Sequence, residues 1–216
     1  MKDETIKAYL FDFDGTLVDS MPTFVAAMIR ILDEYNIKYD IGFVKLVTPS
    51  GYRGAADYFC TLGVPRSKEE IIDMINEYVK DGYEHTIPAK EGVIETLFEL
   101  KRRGVSLNVL TASEHNTLDP CLKRLGVWDL FDHVWSCVDF NTTKSDVNIY
   151  HMAAKELGRR VDEVMFVDDN INAVKTAKQA GMISCGIYDD SSMDNVDEMK
   201  ACADYYVESF TQIAEL

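Results

Sequence analysis

Short runs of apolar and β-branched residues recur along the chain and predict buried β-strands. The runs are IKAYLFDF from Ile6, VSLNVLTA from Val105, HVWSCV from His133, EVMFVDD from Glu163 and MISCGIY from Met182. Apolar side chains fill both alternating positions, as they do in strands covered on both faces. The intervening segments are amphipathic. This alternation predicts an α/β fold with a doubly wound parallel sheet, in which ligands bind beyond the carboxyl ends of the strands.

The region from residue 18 to residue 88 breaks this alternation. It carries only helical patterns, of which the clearest are MPTFVAAMIRILDEYN, GAADYFCTLG and SKEEIIDMINEYVKDGYEH. We therefore predict that the chain leaves the sheet after the first strand and forms a small helical domain over residues 18–88. The core domain then consists of residues 1–17 and 89–216, with a final strand near Tyr206.

The charge of the chain restricts its partners. There are 37 acidic and 22 basic residues, and the formal net charge is −15. This negative charge argues against a nucleic acid or an anionic membrane as a partner. An anionic small-molecule substrate would need local positive charge, either from a metal ion or from a few placed basic residues.

Two further features indicate a cytoplasmic protein. The start, MKDETIKAYL, has acidic residues where a signal peptide has a basic region, and no apolar run is long enough to span a membrane. The five cysteines are far apart and form no CxxC pair. This pattern is typical of reduced thiols and does not favour a zinc site.

Two pairs of carboxylates are expected at one edge of the sheet. Asp12 and Asp14 follow the first strand and lie on the same side of an extended chain. Asp168 and Asp169 follow the run MFV. Such carboxylates would repel each other without a cation between them. Oxygen ligands in this number suit a hard cation, and Mg²⁺ is the one expected.

The same edge is expected to carry groups that bind an anion. Thr111 offers a hydroxyl at the end of NVLT, and the small residues after it, beginning with Ala112, let backbone N–H groups approach the anion. Lys144 precedes the helical pattern DVNIYHMAAKELG. With a metal bound, one carboxylate can attack phosphorus while its neighbour transfers a proton. Thr111 and Lys144 would then hold the phosphoryl oxygens.

Each of these features also has a purely structural interpretation. An Asp-x-Asp pair is common in turns, and Asp168 with Asp169 could form a helix cap with a solvated acid. Thr111 could cap the following helix, and Lys144 could be an exposed lysine, as most lysines are. The arrival of all these groups at consecutive strand ends favours the catalytic interpretation.

Together these residues resemble the haloacid dehalogenase superfamily, in its phosphatase branch. DFDGTLVDS is similar to the opening signature of that family, and VLTAS, Lys144 and FVDDNINAVKTAKQAGM follow in the family's order. The resemblance spans most of the chain. It implies a Rossmann-like core, a small α-helical cap that closes over the site, Mg²⁺ as cofactor and a small phosphate ester as substrate.

The resemblance also implies a role for each residue. Asp12 is the expected nucleophile, which forms an aspartyl phosphate, and Asp14 is the expected general acid and base. Thr111, Ala112 and Lys144 are expected to bind phosphate. The expected metal ligands are Asp12, Asp14, Asp168 and Asp169, with Asp14 acting through its backbone carbonyl.

The chain departs from the family's usual pattern at two positions. Ser145 stands where proline usually follows the lysine, although Tyr150 is kept, and Val167 stands where glycine is common.

Two other positions separate the reactions known in this family. Dehalogenases and phosphonate-cleaving members lack the second aspartate, which is present here as Asp14. Mutase-like members carry a histidine where this chain has Phe24. A phosphate monoester hydrolase similar to phosphoglycolate phosphatases is therefore expected, ahead of a phosphomutase or phosphotransferase and of a non-catalytic binding protein.

The helical region offers one candidate for substrate contact. In TPSGYRGAADYF, Arg53 lies between Gly51 and Gly54, and we expect a loop there that leads into a helix. From such a loop Arg53 could bind a second anionic group of the substrate. The alternative is an exposed arginine paired with a nearby acid such as Asp57.

Overall fold

The predicted strands form one parallel sheet. The computed structural model describes residues 5–40, 42–47 and 51–216. The six strands within these ranges are β1 Ala8–Phe11, β2 Ser106–Thr111, β3 His133–Ser136, β4 Val164–Asp168, β5 Ile183–Ile187 and β6 Tyr205–Val207. All neighbours are parallel, in the order β3-β2-β1-β4-β5-β6. The predicted doubly wound α/β fold is confirmed, and the order switches direction between β1 and β4, where such sheets bind ligands.

The chain divides into two compact units. The first comprises Met1–Asp19 and Pro88–Leu216, and the second comprises Ser20–Ile87. The helices are α1 Met21–Glu34, α2 Phe43–Val47, α3 Gly51–Thr61, α4 Lys68–His85, α5 Val93–Arg102, α6 His115–Arg124, α7 Val147–Glu156, α8 Ile171–Ala180 and α9 Val196–Cys202. None of the helices in the described ranges has the length and apolar character needed to cross a lipid bilayer.

The core of the first unit covers both faces of the sheet. Every residue of β1 and of β4 is buried. On one face the ring of Phe166 packs against that of Tyr150 in α7, with centroids 5.0 Å apart. Side chains alternate between faces, so Phe11 packs elsewhere, against Phe210 at 5.3 Å. Full burial of each such side chain contributes about 1.5–3 kcal/mol, which anchors the strands whose ends carry the polar residues.

The second unit is an assembly of helices. Helix α4 begins with a capping box in which Ser67 and Glu70 satisfy each other's backbone N–H groups. It buries Ile71, Ile75 and Val79, which recur at helical spacing on one face. The amphipathic pattern in the sequence thus becomes the core of this unit.

The prediction of a loop at Arg53 is wrong. Helix α3 begins at Gly51, and Arg53 lies exposed in its first turn. The helix persists despite its glycines because Ala55, Ala56 and Phe59 bury its other face. Packing therefore outweighs the low helix propensity of glycine here.

Candidate active site

The turn after β1 sets the first part of the site. The Asp12 N–H donates to the Val167 carbonyl at 2.9 Å, which extends the pairing with β4, and the Asp12 side chain is buried. Gly15 then turns the chain with φ +79°, a conformation that favours glycine. A Cβ atom at Gly15 would lie 2.8 Å from the Asp169 carboxylate. Any other residue would be strained here and would collide with that group.

The structure brings together three of the four predicted carboxylates. One oxygen from each of Asp12, Asp168 and Asp169 lies within 4.8 Å of the others, and all three residues are buried. The Asn170 N–H donates to Asp168 Oδ1 at 2.7 Å, and the Thr16 hydroxyl donates to Asp169 Oδ1 at 3.3 Å. We call these three aspartates the carboxylate cluster.

Neither Asp168 nor Asp169 is the cap of the helix that follows. That position belongs to Asn170, whose side chain accepts the Asn172 N–H at 2.9 Å at the start of α8. The structural interpretation of the acidic pair as a helix cap is therefore wrong. Both carboxylates instead belong to the carboxylate cluster.

Burial and mutual repulsion make the cluster unfavourable for uncompensated negative charge. Burial, and then the charge of Asp12, raise the pKa of Asp168. Burial also raises the pKa of Asp169, and the charges of Asp168 and Asp12 add to this effect. A divalent cation among the three would offset both effects, and hard cations prefer such oxygen-only donors. The donor set fits Mg²⁺.

Lys144 is a largely buried cation in contact with the cluster. Its ammonium group contacts a carboxylate oxygen of Asp12 and donates to Asp168 Oδ2 at 2.9 Å. Burial by itself would lower the pKa of Lys144, but the charges of Asp12 and Asp168 outweigh burial and raise it. The Tyr150 hydroxyl lies 2.9 Å from the Lys144 carbonyl oxygen and fixes the backbone there. The interpretation of Lys144 as an exposed surface lysine is therefore wrong.

The Asp14 side chain has a different environment from the cluster. Its Oδ2 accepts a hydrogen bond of 2.5 Å from the hydroxyl of Ser113. Ser113 follows β2, so this bond joins the chain after β1 to the chain after β2. Sequence reasoning missed Ser113, although the small residues after the second strand were the available signal.

Thr111 and Ala112 lie where the sequence predicts them, at the end of β2. Thr111 is buried, and its hydroxyl oxygen accepts the Ser113 N–H at 3.1 Å. Ala112 is exposed. Glu114 occupies the N-cap position of α6, so Thr111 does not serve as the helix cap.

His115, at the start of α6, links this region to the segment after β3. Its Nδ1 lies 2.8 Å from Asp119 Oδ1, and its Nε2 lies 2.9 Å from Asp139 Oδ2. The hydrogen bond to Asp119 is the main cause that raises the pKa of His115, and Asp139 adds to it against the opposing effect of burial.

We expect the free energy of unfolding to include a His115 contribution that depends on pH. A histidine whose pKa is raised by folding stabilises the protein fully below its unfolded pKa, about 6.5, and this stability is lost as the pH rises through the folded value. His115→Gln should therefore lower the urea midpoint more at about pH 5.5 than at about pH 8.5. The exposed His151→Gln is the control. An equal loss at both pH values would contradict this expectation.

Comparisons with known proteins find relatives over most of the chain. The sequence profile of the haloacid dehalogenase-like hydrolases matches residues 9–187. Pyrophosphatase PpaX of Bacillus velezensis is 30% identical over 188 residues, which cover 87% of this chain and 85% of that protein. The N-acetylmuramic acid 6-phosphate phosphatase of Pseudomonas aeruginosa is 27% identical, with 84% and 81% covered. The crystal structure of a predicted phosphoglycolate phosphatase from Haemophilus somnus has a TM-score of 0.83, with 20% identity and 99% of each chain covered.

These comparisons bear on the whole region that carries the site. The matched residues 9–187 include both predicted carboxylate pairs as well as Thr111 and Lys144. The likeness to the solved structure shows that the fold is shared. Because the family profile covers most of the chain and a relative reaches 30% identity, the chain belongs to the haloacid dehalogenase-like hydrolase family.

Proposed function

We propose that the protein is a Mg²⁺-dependent phosphatase that hydrolyses a small phosphorylated metabolite. The observation that carries the proposal is the meeting of the carboxylate cluster with the charged Lys144 at one edge of the sheet. Carboxylates can hold a divalent cation, and the ammonium group can hold a phosphoryl oxygen. Relatives named as phosphatases support the reaction class.

The proposed Mg²⁺ ligands are the side chains of Asp12, Asp168 and Asp169 and the backbone carbonyl of Asp14. When bound, Mg²⁺ would supply positive charge that offsets the charges of the phosphate and the carboxylates. The Asp14 side chain, which accepts a hydrogen bond from Ser113, is left to transfer protons.

Asp12 is the proposed nucleophile. One of its carboxylate oxygens bonds to phosphorus while the bond from phosphorus to the ester oxygen breaks, which gives an aspartyl phosphate. Asp14 donates its proton to the departing oxygen. Asp14 then takes a proton from water as the water oxygen bonds to phosphorus and the bond to Asp12 breaks. Inorganic phosphate leaves, and both side chains return to their starting states.

Thr111, Ala112 and Lys144 are proposed to hold the remaining phosphoryl oxygens. The Thr111 hydroxyl and the Ala112 N–H lie at the end of β2, the strand next to β1. The Lys144 ammonium already contacts Asp12, so it can orient the nucleophile and bind an oxygen of the transferred group. Fixed donors of this kind stabilise the charge that develops in the transition state.

Hydrolysis is preferred to a mutase reaction because of Phe24. Its side chain is buried in the second unit, where its ring lies 6.1 Å from that of Tyr83. A phenyl ring in an apolar core offers no acid or base for phosphoryl transfer to a sugar hydroxyl.

The second unit is proposed to be the cap that chooses the substrate, with Arg53 as a contact. Arg53 is an exposed cation in the first turn of α3. Asp57, the alternative partner suggested by the sequence, forms an ion pair with Lys68 at 2.6 Å. An arginine exposed in this way can bind a carboxylate or a second phosphate through two hydrogen bonds.

Arg53→Ala should raise KM for a carboxylated ester such as phosphoglycolate. Because the variant loses a charge-assisted hydrogen bond to the substrate, we expect KM to rise by roughly 10- to 100-fold. KM for p-nitrophenyl phosphate should stay nearly unchanged, because that ester has no second anionic group. Arg30→Ala, which removes another cation of the same unit, is the matched control. Equal changes for the two esters would exclude this role.

Phosphate release from a panel of compounds tests the proposed reaction. The panel includes pyrophosphate, N-acetylmuramic acid 6-phosphate and phosphoglycolate, each assayed with Mg²⁺ and with excess chelator. We expect release from at least one compound, and only with Mg²⁺. Transfer of phosphate to an added sugar without release would favour phosphotransfer, and no reaction with any compound would contradict the proposal.

A further inference from the structure

Lys90 is a largely buried lysine in the first unit. Its ammonium group donates to the Gly15 carbonyl at 2.6 Å, to the Tyr188 carbonyl at 2.9 Å and to Asp189 Oδ2 at 2.7 Å. All three ammonium hydrogens therefore have partners. The Asp189 side chain is also buried. An ion pair of this kind leaves an uncompensated charge if either partner is removed.

These bonds join segments that lie around the carboxylate cluster. Gly15 belongs to the turn after β1, and Asp189 follows β5, the neighbour of β4. Lys90 lies where the chain re-enters the first unit, and its own N–H donates to the Leu17 carbonyl at 3.0 Å. Lys90 thus connects the returning chain to the segments that follow β1 and β5.

The turn that Lys90 holds borders the cluster directly. A Cβ atom at Gly15 would lie 2.8 Å from the carboxylate of Asp169. The next residue, Thr16, donates its hydroxyl to Asp169 Oδ1 at 3.3 Å. Any shift of this turn would therefore change the room beside Gly15 that the Asp169 carboxylate occupies. It would also change the hydrogen bond that Thr16 donates to Asp169.

We propose that Lys90 is a positioning residue for Mg²⁺ binding. Its bond to the Gly15 carbonyl fixes the turn that supports Asp169, and its charge balances that of Asp189. The inference rests on the proposed function, because it assumes that Asp169 is a metal ligand. Loss of such a supporting contact typically lowers metal affinity or activity by roughly 10- to 100-fold.

Calorimetric titration of the substrate-free protein with Mg²⁺ tests this role. We expect Lys90→Met to weaken Mg²⁺ binding by roughly 10- to 100-fold and to raise the Mg²⁺ concentration for half-maximal activity by a similar factor. KM for the ester at saturating Mg²⁺ should change little. The control is Lys178→Met, which removes a half-exposed lysine that pairs with Asp204. This control should bind Mg²⁺ like the wild type.

The double variant Lys90→Met/Asp189→Asn separates positioning from charge balance. It removes both charges but does not restore the bond to Gly15, so weak Mg²⁺ binding should persist. Wild-type affinity in the double variant, or in Lys90→Met itself, would overturn the inference. If Lys90→Met does not fold, Lys90→Gln decides by the same criterion. Failure of the wild-type protein itself to bind Mg²⁺ would overturn the proposed function too. Wild-type affinity in the variants would overturn only the role of Lys90, so the two failures are distinguishable.

Discussion

Asp12→Asn is expected to lower kcat by roughly 10⁴- to 10⁶-fold, as loss of a covalent nucleophile does in other hydrolases. An amide oxygen is a much weaker nucleophile than a carboxylate and cannot form the same acyl phosphate. The fold should persist, because asparagine has the same shape and still accepts a hydrogen bond from Lys144. The temperature of unfolding should be unchanged or higher, since one charge leaves a cluster of buried carboxylates.

The measurement is kcat with saturating Mg²⁺ and substrate, beside thermal unfolding of both proteins. Asp129→Asn is the matched control, because Asp129 is exposed on the first unit and the variant should keep wild-type activity. Mass spectrometry must show that the asparagine introduced at position 12 has not reverted to aspartate by deamidation. Near-normal turnover in a preparation that passes this check would exclude Asp12 as the nucleophile.

Asp14→Asn is expected to separate the two chemical steps. An alkyl phosphate needs a proton on its leaving oxygen, so its turnover should fall by roughly 10²- to 10⁴-fold. p-Nitrophenolate leaves without a proton, so the first step should remain fast with that ester. The second step still lacks its base. We therefore expect a burst of p-nitrophenol, close to one per enzyme molecule, followed by slow turnover.

Rapid mixing with p-nitrophenyl phosphate measures this burst, and an alkyl phosphate should give none. Asp14→Asn should bind Mg²⁺ with nearly the wild-type affinity, because the proposed ligand at this position is the backbone carbonyl. Equal losses of rate for both esters without a burst would contradict the role of Asp14 as general acid. Loss of Mg²⁺ binding would instead make its side chain a metal ligand.

Much of the fold follows from local patterns in the sequence. Runs such as YLF and VMFV are apolar at every position, which is typical of a strand covered on both faces. Parallel strands bring their carboxyl ends to one edge, so the sequence alone places Asp12, Asp168 and Asp169 together. The geometry adds that Lys144 reaches two of these carboxylates.

Other features depend on contacts that no local pattern reveals. Lys90 meets Gly15 and Asp189, which lie 75 and 99 residues away along the chain. Ser113 meets Asp14 across 99 residues. The sequence predicts the helix from Gly54 but not its start at Gly51, because the glycines on either side of Arg53 suggest a loop, whereas buried side chains on the other face stabilise the helix. Short α2 was not predicted either, since one turn gives too little periodicity to recognise.

Chemical trapping of the intermediate tests the central claim most directly. The enzyme is mixed with its best substrate and Mg²⁺, quenched during turnover and treated with borohydride, which reduces an aspartyl phosphate to homoserine. Tandem mass spectrometry of the tryptic peptide Ala8–Arg30 then locates the change. We predict homoserine at position 12, dependent on both substrate and Mg²⁺. Homoserine at another position, or unmodified Asp12 in the Asp14→Asn variant after a completed burst, would contradict the account.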